Sequence, residues 1–182
     1  MSRRRVGLVI LCEDRQQEVF FRKFFEEIGW NLRQIRFETA PRGKGSAKQY
    51  VVRKFPNELA GYRAKKNKVN SKLIVVVDGD KPGVLGSINE LKESCLEFPI
   101  EPRKNDEAVA IFVPTWNIET WLAYLVGGTV DETKRNYSRL GRPRECQKHV
   151  KILVQMCQNE GLRKPAPESL RIACEEYQTR LN

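Results

Sequence analysis

The stretch LIVVVDGDKPG, residues 73–83, constrains the fold more than any other part of the chain. Four consecutive apolar residues, Ile74 to Val77, leave no polar face. A strand with one wet side alternates apolar and polar residues, whereas a strand covered on both sides, as in a parallel sheet between helices, does not. The run stops at Asp78-Gly79-Asp80. Two carboxylates therefore leave the end of a buried strand in a chain with 33 Lys+Arg against 23 Asp+Glu and a net charge of +10.

The rest of the chain fits the same class. RVGLVILC (5–12) is a second short apolar run and reads as an interior strand. In the following EDRQQEVFFRKFFEEIGW, Val19, Phe20, Phe24, Phe25 and Ile28 form an apolar stripe at helical spacing, and Gly29 is a natural stop. RQIRFETA (33–40) alternates like a strand, and PRGKGS (41–46) is a loop. Residues 46–66 are helical in character, with Ser46 as a cap and Pro56 as a kink or break. A helix is expected from Val84 to Phe98, a buried strand over 108–114 and a helix over 117–126. Strands alternating with helices argue for a mainly parallel α/β sheet over residues 1–126. Residues 127–145 are polar and loop-like, and helices are expected over 145–160 and 167–181. Residues 127–182 thus read as a helical C-terminal extension packed on the same domain.

Length and composition narrow the function. At 182 residues a single core can form without staples, burying roughly 70% of the unfolded surface. No stretch approaches the ~20 apolar residues that cross a bilayer, so no membrane partner is expected. The basic start and its apolar run look superficially like a leader, but the run meets charge at Glu13 with no small-residue cleavage site, and a first strand is the better reading. Five cysteines without a CxxC spacing and a single histidine argue against a zinc site and for structural thiols in a reducing cytoplasm. Excess positive charge points to a polyanion such as nucleic acid, against the plainer reading of a solvated basic surface. The basic residues cluster at Arg3–Arg5, Arg42–Gly45, Arg63–Lys68 and Gly141–Arg144.

In an open parallel sheet, ligands bind outside the carboxyl ends of the strands. Glu13 and Asp14 follow the first strand, Asp78 and Asp80 the third, and Glu119 lies in the first turn of the helix after the fourth. Residues two apart on extended backbone point the same way, so Asp78 and Asp80 are expected to share a face, with Gly79 leaving room between them. Such a gathering of carboxylates needs counter-charge, and Mg²⁺ (or Mn²⁺) accepts oxygen ligands and prefers phosphate-bearing substrates. Two such ions can clamp the oxygens of a phosphodiester displacement. Singly, Asp14, Asp80 and Glu119 also suit helix capping or the first-turn dipole. The ordered set of three junctions favours metal.

VILCEDRQQEVFFRKFF resembles the first motif of Toprim domains, a strand ending in glutamate before a helix with bulky apolar residues. LIVVVDGDKPG resembles their second motif, the D-x-D, and PTWNIETWLAYL is similar to a segment of small stand-alone Toprim-like proteins. The resemblance covers residues 5–126 and extends to the nuclease part of overcoming-lysogenization-defect (OLD) proteins. It implies a Toprim-like, Rossmann-like fold and a metal-dependent phosphodiesterase or nuclease acting on nucleic acid, with DNA the expected substrate. It further implies a role in phage defence or DNA repair and a separately encoded ATPase as partner. Carried over by position, Glu13, Asp78 and Asp80 are catalytic and metal-binding, with Glu119 and Asp14 as further ligands. Two departures stand beside it: the segment from Glu13 to Asp78 is longer than in minimal Toprim domains, and no tyrosine module of the topoisomerase kind is evident.

Lys81, beside the D-x-D, is a candidate for stabilising phosphorane charge, or a solvated lysine. Arg42, Lys44 and Ser46 in the glycine-containing loop, with Lys65 and Lys66, are candidate phosphate contacts, although the loop is not a Walker A motif. Trp116 and Trp121, which flank Glu119, are expected to pack in the core rather than to stack on bases, and His149 is given no acid/base role. Two other functions compete. One is a Toprim-like subunit that binds nucleic acid or protein without catalysis. The other is a haloacid-dehalogenase-type phosphatase, whose D-x-D it also resembles; there the motif normally ends the first strand, whereas here a strand, helix, strand and helix precede it.

Overall fold

The structure, a computed structural model, describes residues 6–135, 137 and 141–182. The Arg3–Arg5 cluster lies outside the described residues. Four strands, β1 (Leu8–Cys12), β2 (Ile35–Thr39), β3 (Lys72–Val76) and β4 (Val109–Phe112), form one parallel sheet in the order β2-β1-β3-β4. The chain moves outward from β1 to β2, then crosses back over β1 to β3 and continues to β4. The strand order therefore reverses between β1 and β3, and their carboxyl ends open the crevice where parallel sheets bind ligands.

Helices cover both faces. β1 directs Leu8, Ile10 and Cys12 to one face, where α1 (Arg15–Glu27), α4 (Ile118–Leu125), α5 (Gln147–Gln155) and α6 (Glu168–Arg180) pack. Leu11, Val75, Val77 and Ile111 point to the other, beneath α2 (Ala47–Lys65) and α3 (Gly83–Glu97). Period-two backbone with both sides covered explains the uninterrupted apolar runs. The α1 stripe is buried and wider than its sequence spacing suggests: Phe21 also lies inside, its ring stacked on Phe112 at 5.4 Å. Gly29 ends the α1 region at a φ of 94°, which favours glycine.

Pro56 does not break the helix: α2 is continuous from Ala47 to Lys65. The proline costs about 3 kcal/mol in a helix interior. Burying Val51, Phe55, Leu59 and Tyr62 on the sheet returns roughly 1.5–3 kcal/mol for each large side chain, so packing wins. Ser46 caps α2, its Oγ accepting from the Gln49 N–H at 3.3 Å.

The C-terminal helices contribute directly to the sheet. α5 packs along α1, and α6 lies against β4. Along the outer edge of β4 the Ile111 N–H donates to Glu176 Oε2 at 3.1 Å, while Arg103 Nη1 donates to the Val109 carbonyl at 2.9 Å. Arg103 and Glu176 also pair with each other. One ion pair thus takes the place of a fifth strand and closes an edge that would otherwise invite pairing with another chain. All five cysteines are free thiols, and Cys157 Sγ and Cys174 Sγ lie 3.2 Å apart. Among the described residues, no helix is long and apolar enough to cross a membrane.

Candidate functional site

Glu13 emerges from β1 at the strand-order reversal and is only 8% exposed. Its Oε1 accepts the Asp78 N–H at 2.7 Å, tying the end of β1 to the end of β3. Between them sits Gln17, fully buried in the first turn of α1. Its Oε1 accepts the Glu13 N–H at 2.8 Å and its Nε2 donates to Asp78 Oδ1 at 2.8 Å. Its own N–H is capped by Asp14 Oδ1, again at 2.8 Å. One amide thereby sets the relative position of the carboxylates from both junctions. Sequence reasoning missed Gln17, although Asp14-x-x-Gln17 carries the capping-box pattern. Here the amide reaches past the cap residue and links two strand ends.

The electrostatics of this pair are unusual. Burial, with the negative charges of Asp80 and Asp14, pushes the Glu13 carboxyl up to about 7, and Lys48 and the Asp78 N–H offset only part of that. Burial, then the negative charges of Glu13, Asp14 and Asp80, pushes Asp78 up to about 9, against the hydrogen bond from Gln17. Neither carboxylate has an ion-pair partner among the described residues. Both line a cleft of about 640 Å³ together with Asp14, Arg42, Asn117 and Glu119. Asn117 holds the N-cap position of α4 without capping it, and its Oδ1 is buried with no hydrogen-bond partner. Glu119, 8% exposed, lies in the first turn of the same helix.

Asp78 and Asp80 do not share a face. β3 ends at Val76, and Asp80 has a φ of 45°, so the extended backbone needed for same-side projection is gone. Asp78 lines the first cleft, and Asp80 lines an adjoining one of about 440 Å³ with Lys48, Lys81, Trp116 and Arg135. The plainer reading of the acids holds for two of the three: Asp14 caps α1 and Glu119 sits in the first turn of α4, whereas Pro82 occupies the N-cap of α3, with no side-chain cap and no acid in its first turn. Lys81 is exposed at the second cleft.

The loop residues divide likewise. Arg42 reaches the rim of the first cleft, whereas Lys44 and Ser46 are exposed beside it. Lys65 ends α2 and Lys66 is its C-cap, about 28–30 Å along the helix from Ser46 at 1.5 Å per residue, near the opposite end of the strands. There Lys66 lies 3.8 Å from Glu107, and neither lysine is brought to the acidic cleft. The first turn of α2 instead supplies Lys48, which sequence reasoning passed over: its Nζ donates to Ser87 Oγ at 2.9 Å and lies 3.5 Å from Glu90. Trp121 is buried in the core, 1% exposed, as its helical stripe dictates, but Trp116 lines the second cleft.

Among the described residues, no group of three or more His, Cys, Asp or Glu side chains is already gathered to hold a metal ion. The donor set nevertheless suits a hard divalent cation in kind and charge. It offers carboxylates from Glu13, Asp78 and Glu119 and the orphaned Asn117 oxygen around one cleft. Mg²⁺ is typically held by one or two carboxylates, with waters and substrate phosphates completing its shell, so a full protein cage is not required.

No protein-family model, curated protein or solved structure matches the chain.

Proposed function

We propose that the chain is a metal-dependent phosphodiesterase that cleaves nucleic acid at the Glu13–Asp78 cleft. One observation carries this reading: two carboxyls, buried Glu13 and half-buried Asp78, both raised in pKa and without an ion-pair partner among the described residues, face a cleft at the strand-order reversal. Such carboxyls tend to keep their protons near neutral pH, and a cation from outside the chain can take the protons' place. The ordered resemblance to Toprim motifs agrees with it, as does the net charge of +10.

Glu13, Asp78 and Glu119, with Asn117 Oδ1, would hold Mg²⁺ or Mn²⁺. When bound, the cation supplies positive charge to phosphodiester oxygens that become more negative on the way to cleavage. Gln17 fixes the Asp78 carboxylate by its Nε2 hydrogen bond, so the ligand is oriented before the cation binds. Arg42 at the rim contacts a backbone phosphate, and Lys81 approaches from the far side of the D-x-D. The protein would work in the cytoplasm on DNA, beside a separately encoded ATPase.

A second reading, a subunit that binds nucleic acid without cutting it, draws on the lack of a ready-made cluster of three acids among the described residues. Supercoiled plasmid incubated with the protein in Mg²⁺, Mn²⁺ or EDTA separates the two. Metal-dependent nicking, lost in the Asp78→Ala, Asp80→Ala double variant, is the expected result. Plasmid left intact in both metals, yet bound, would replace the nuclease by the binding subunit.

A further inference from the structure

The second cleft has its own chemistry. Among the described residues, two non-glycine positions adopt positive φ: Asp80 at 45° and Trp116 at 66°. Both line this cleft. A bulky aromatic in the left-handed region is a true outlier, and such strain persists where the surroundings enforce it, characteristically at functional sites. The enforcement is visible. The Gly79 N–H donates to the Pro114 carbonyl at 2.8 Å, clamping the exits of β3 and β4 together. A Cβ on Gly79 would stand 3.1 Å from that oxygen and 3.3 Å from Thr115 Cα, a tight fit against backbone that favours glycine. Trp116 is pinned by one edge, its Nε1 donating to the Glu132 carbonyl at 2.9 Å, and it stays partly exposed at the cleft wall.

The remaining wall is charged. Lys48, Lys81 and Arg135 stand against Asp80 and Glu90, and Lys48 is already 3.5 Å from Glu90. That leaves Lys81 and Arg135, both exposed, as cations without an ion-pair partner among the described residues. A held indole wall beside exposed cations, in about 440 Å³, matches a small-ligand pocket in size and a nucleotide in chemistry: a flat base with a phosphate attached.

We infer that this cleft holds one unpaired nucleotide of the substrate strand, its base against Trp116 and its flanking phosphate against Lys81 and Arg135, so that the protein selects single-stranded nucleic acid. This rests on the nuclease reading and names the substrate class of that same site, because Asp80 and its neighbour Asp78 join the two clefts. A paired base is covered on both faces by its neighbours and has no free face for an indole inside a concavity. An unpaired base has one.

The test is binding in EDTA, where no cleavage occurs. A short labelled oligonucleotide, single-stranded or annealed to its complement, is titrated with wild-type protein and followed by fluorescence anisotropy. Wild type is expected to bind the single strand more tightly. Trp116→Ala is expected to weaken single-strand binding by about tenfold or more, with Trp116→Phe keeping most of it and duplex binding unchanged. Trp116→Gly, which suits the positive φ and so keeps the backbone, should lose affinity as the alanine variant does. Lys81→Ala, at an exposed position, should weaken binding and flatten its salt dependence.

Equal affinity for duplex and single strand, or undiminished single-strand binding by both Trp116→Ala and Trp116→Gly, would overturn the inference. Competition by free dTMP as effective as by the oligonucleotide would also overturn it, by making the ligand a free nucleotide. Cleavage is read separately. Wild type that binds through Trp116 but cuts nothing in Mg²⁺ or Mn²⁺ sinks the nuclease reading alone. Cleavage with Trp116-independent binding sinks the subsite alone.

Discussion

Two carboxylate sites lie at opposite ends of the strands of the same sheet, and the chain treats them in opposite ways. Glu107, 2% exposed just before β4, is fully compensated. Arg63 donates to both of its oxygens at 2.7 and 3.0 Å, the Lys104 N–H adds a bond at 2.8 Å, and Lys66 lies nearby. Burial works against its charge, but these partners outweigh burial and hold the carboxyl below its ordinary value. At the other end Glu13 and Asp78 receive hydrogen bonds from an amide and a backbone N–H, but no cation. Their carboxyls rise instead of falling. The fold evidently can neutralise a buried acid with arginine. Where it does not, the raised carboxyls hold protons that a cation from outside can displace.

Breaking the compensated site should have the largest effect. Arg63→Ala strands Glu107 and is expected to cost about 3–5 kcal/mol, lowering the melting temperature by roughly ten degrees. A loss below about 1 kcal/mol would mean that Lys66 and water suffice, and the contrast would weaken.

Acidity should pull the two sites in opposite directions. In the unfolded chain Glu13 and Asp78 ionise near pH 4, but in the fold at about 7 and about 9. Between those limits the unfolded chain holds fewer protons, so their contribution to stability is complete below about pH 4 and is lost as pH rises towards 9. Glu107, with its lowered value, contributes at neutral pH and loses that contribution on acidification. Melting curves of wild type and Glu13→Gln, Asp78→Asn between pH 5 and 9 should therefore diverge by a few kcal/mol at the alkaline end. Parallel curves would contradict the raised values.

Asp78→Asn removes charge while keeping an oxygen for Gln17. At pH 8 it should leave stability unchanged or raise it by about 1–2 kcal/mol, while abolishing metal-dependent nicking. A destabilised variant would indicate a structural carboxylate. The smallest effect belongs to Asp14. Asp14→Ala should cost about 1 kcal/mol through the lost cap, and Asp14→Ser should restore it with cleavage largely intact. Loss of cleavage in the serine variant would make Asp14 a ligand as well as a cap.

The sequence carried the frame of this site, because short uninterrupted apolar runs bounded by turn residues suit strands covered on both sides. Glu13 and Asp78 follow those runs directly and were placed correctly at neighbouring strand ends. What it did not carry depends on backbone geometry or on distant partners. Asp80 lines the adjoining cleft, because β3 ends at Val76 and the chain then takes positive φ, which the D-x-D spacing does not encode. Lys65 and Lys66 look like part of a basic rim until the continuous α2 carries them to the other end of the strands. Trp116 and Trp121 share one apolar segment, and only the turn at Thr115–Asn117 separates a cleft wall from a core residue. The Arg103–Glu176 pair that closes β4 joins residues with no local signal in common.

The central claim, that Glu13 and Asp78 await a cation, is tested most directly by isothermal titration of the protein with Mn²⁺ at pH 7.5 in two buffers of different ionisation heat. The account predicts saturable binding with proton release, because the metal displaces protons from raised carboxyls, and loss of that binding in Glu13→Gln, Asp78→Asn. Absence of binding in wild type, or binding of equal strength in the double variant, would contradict it.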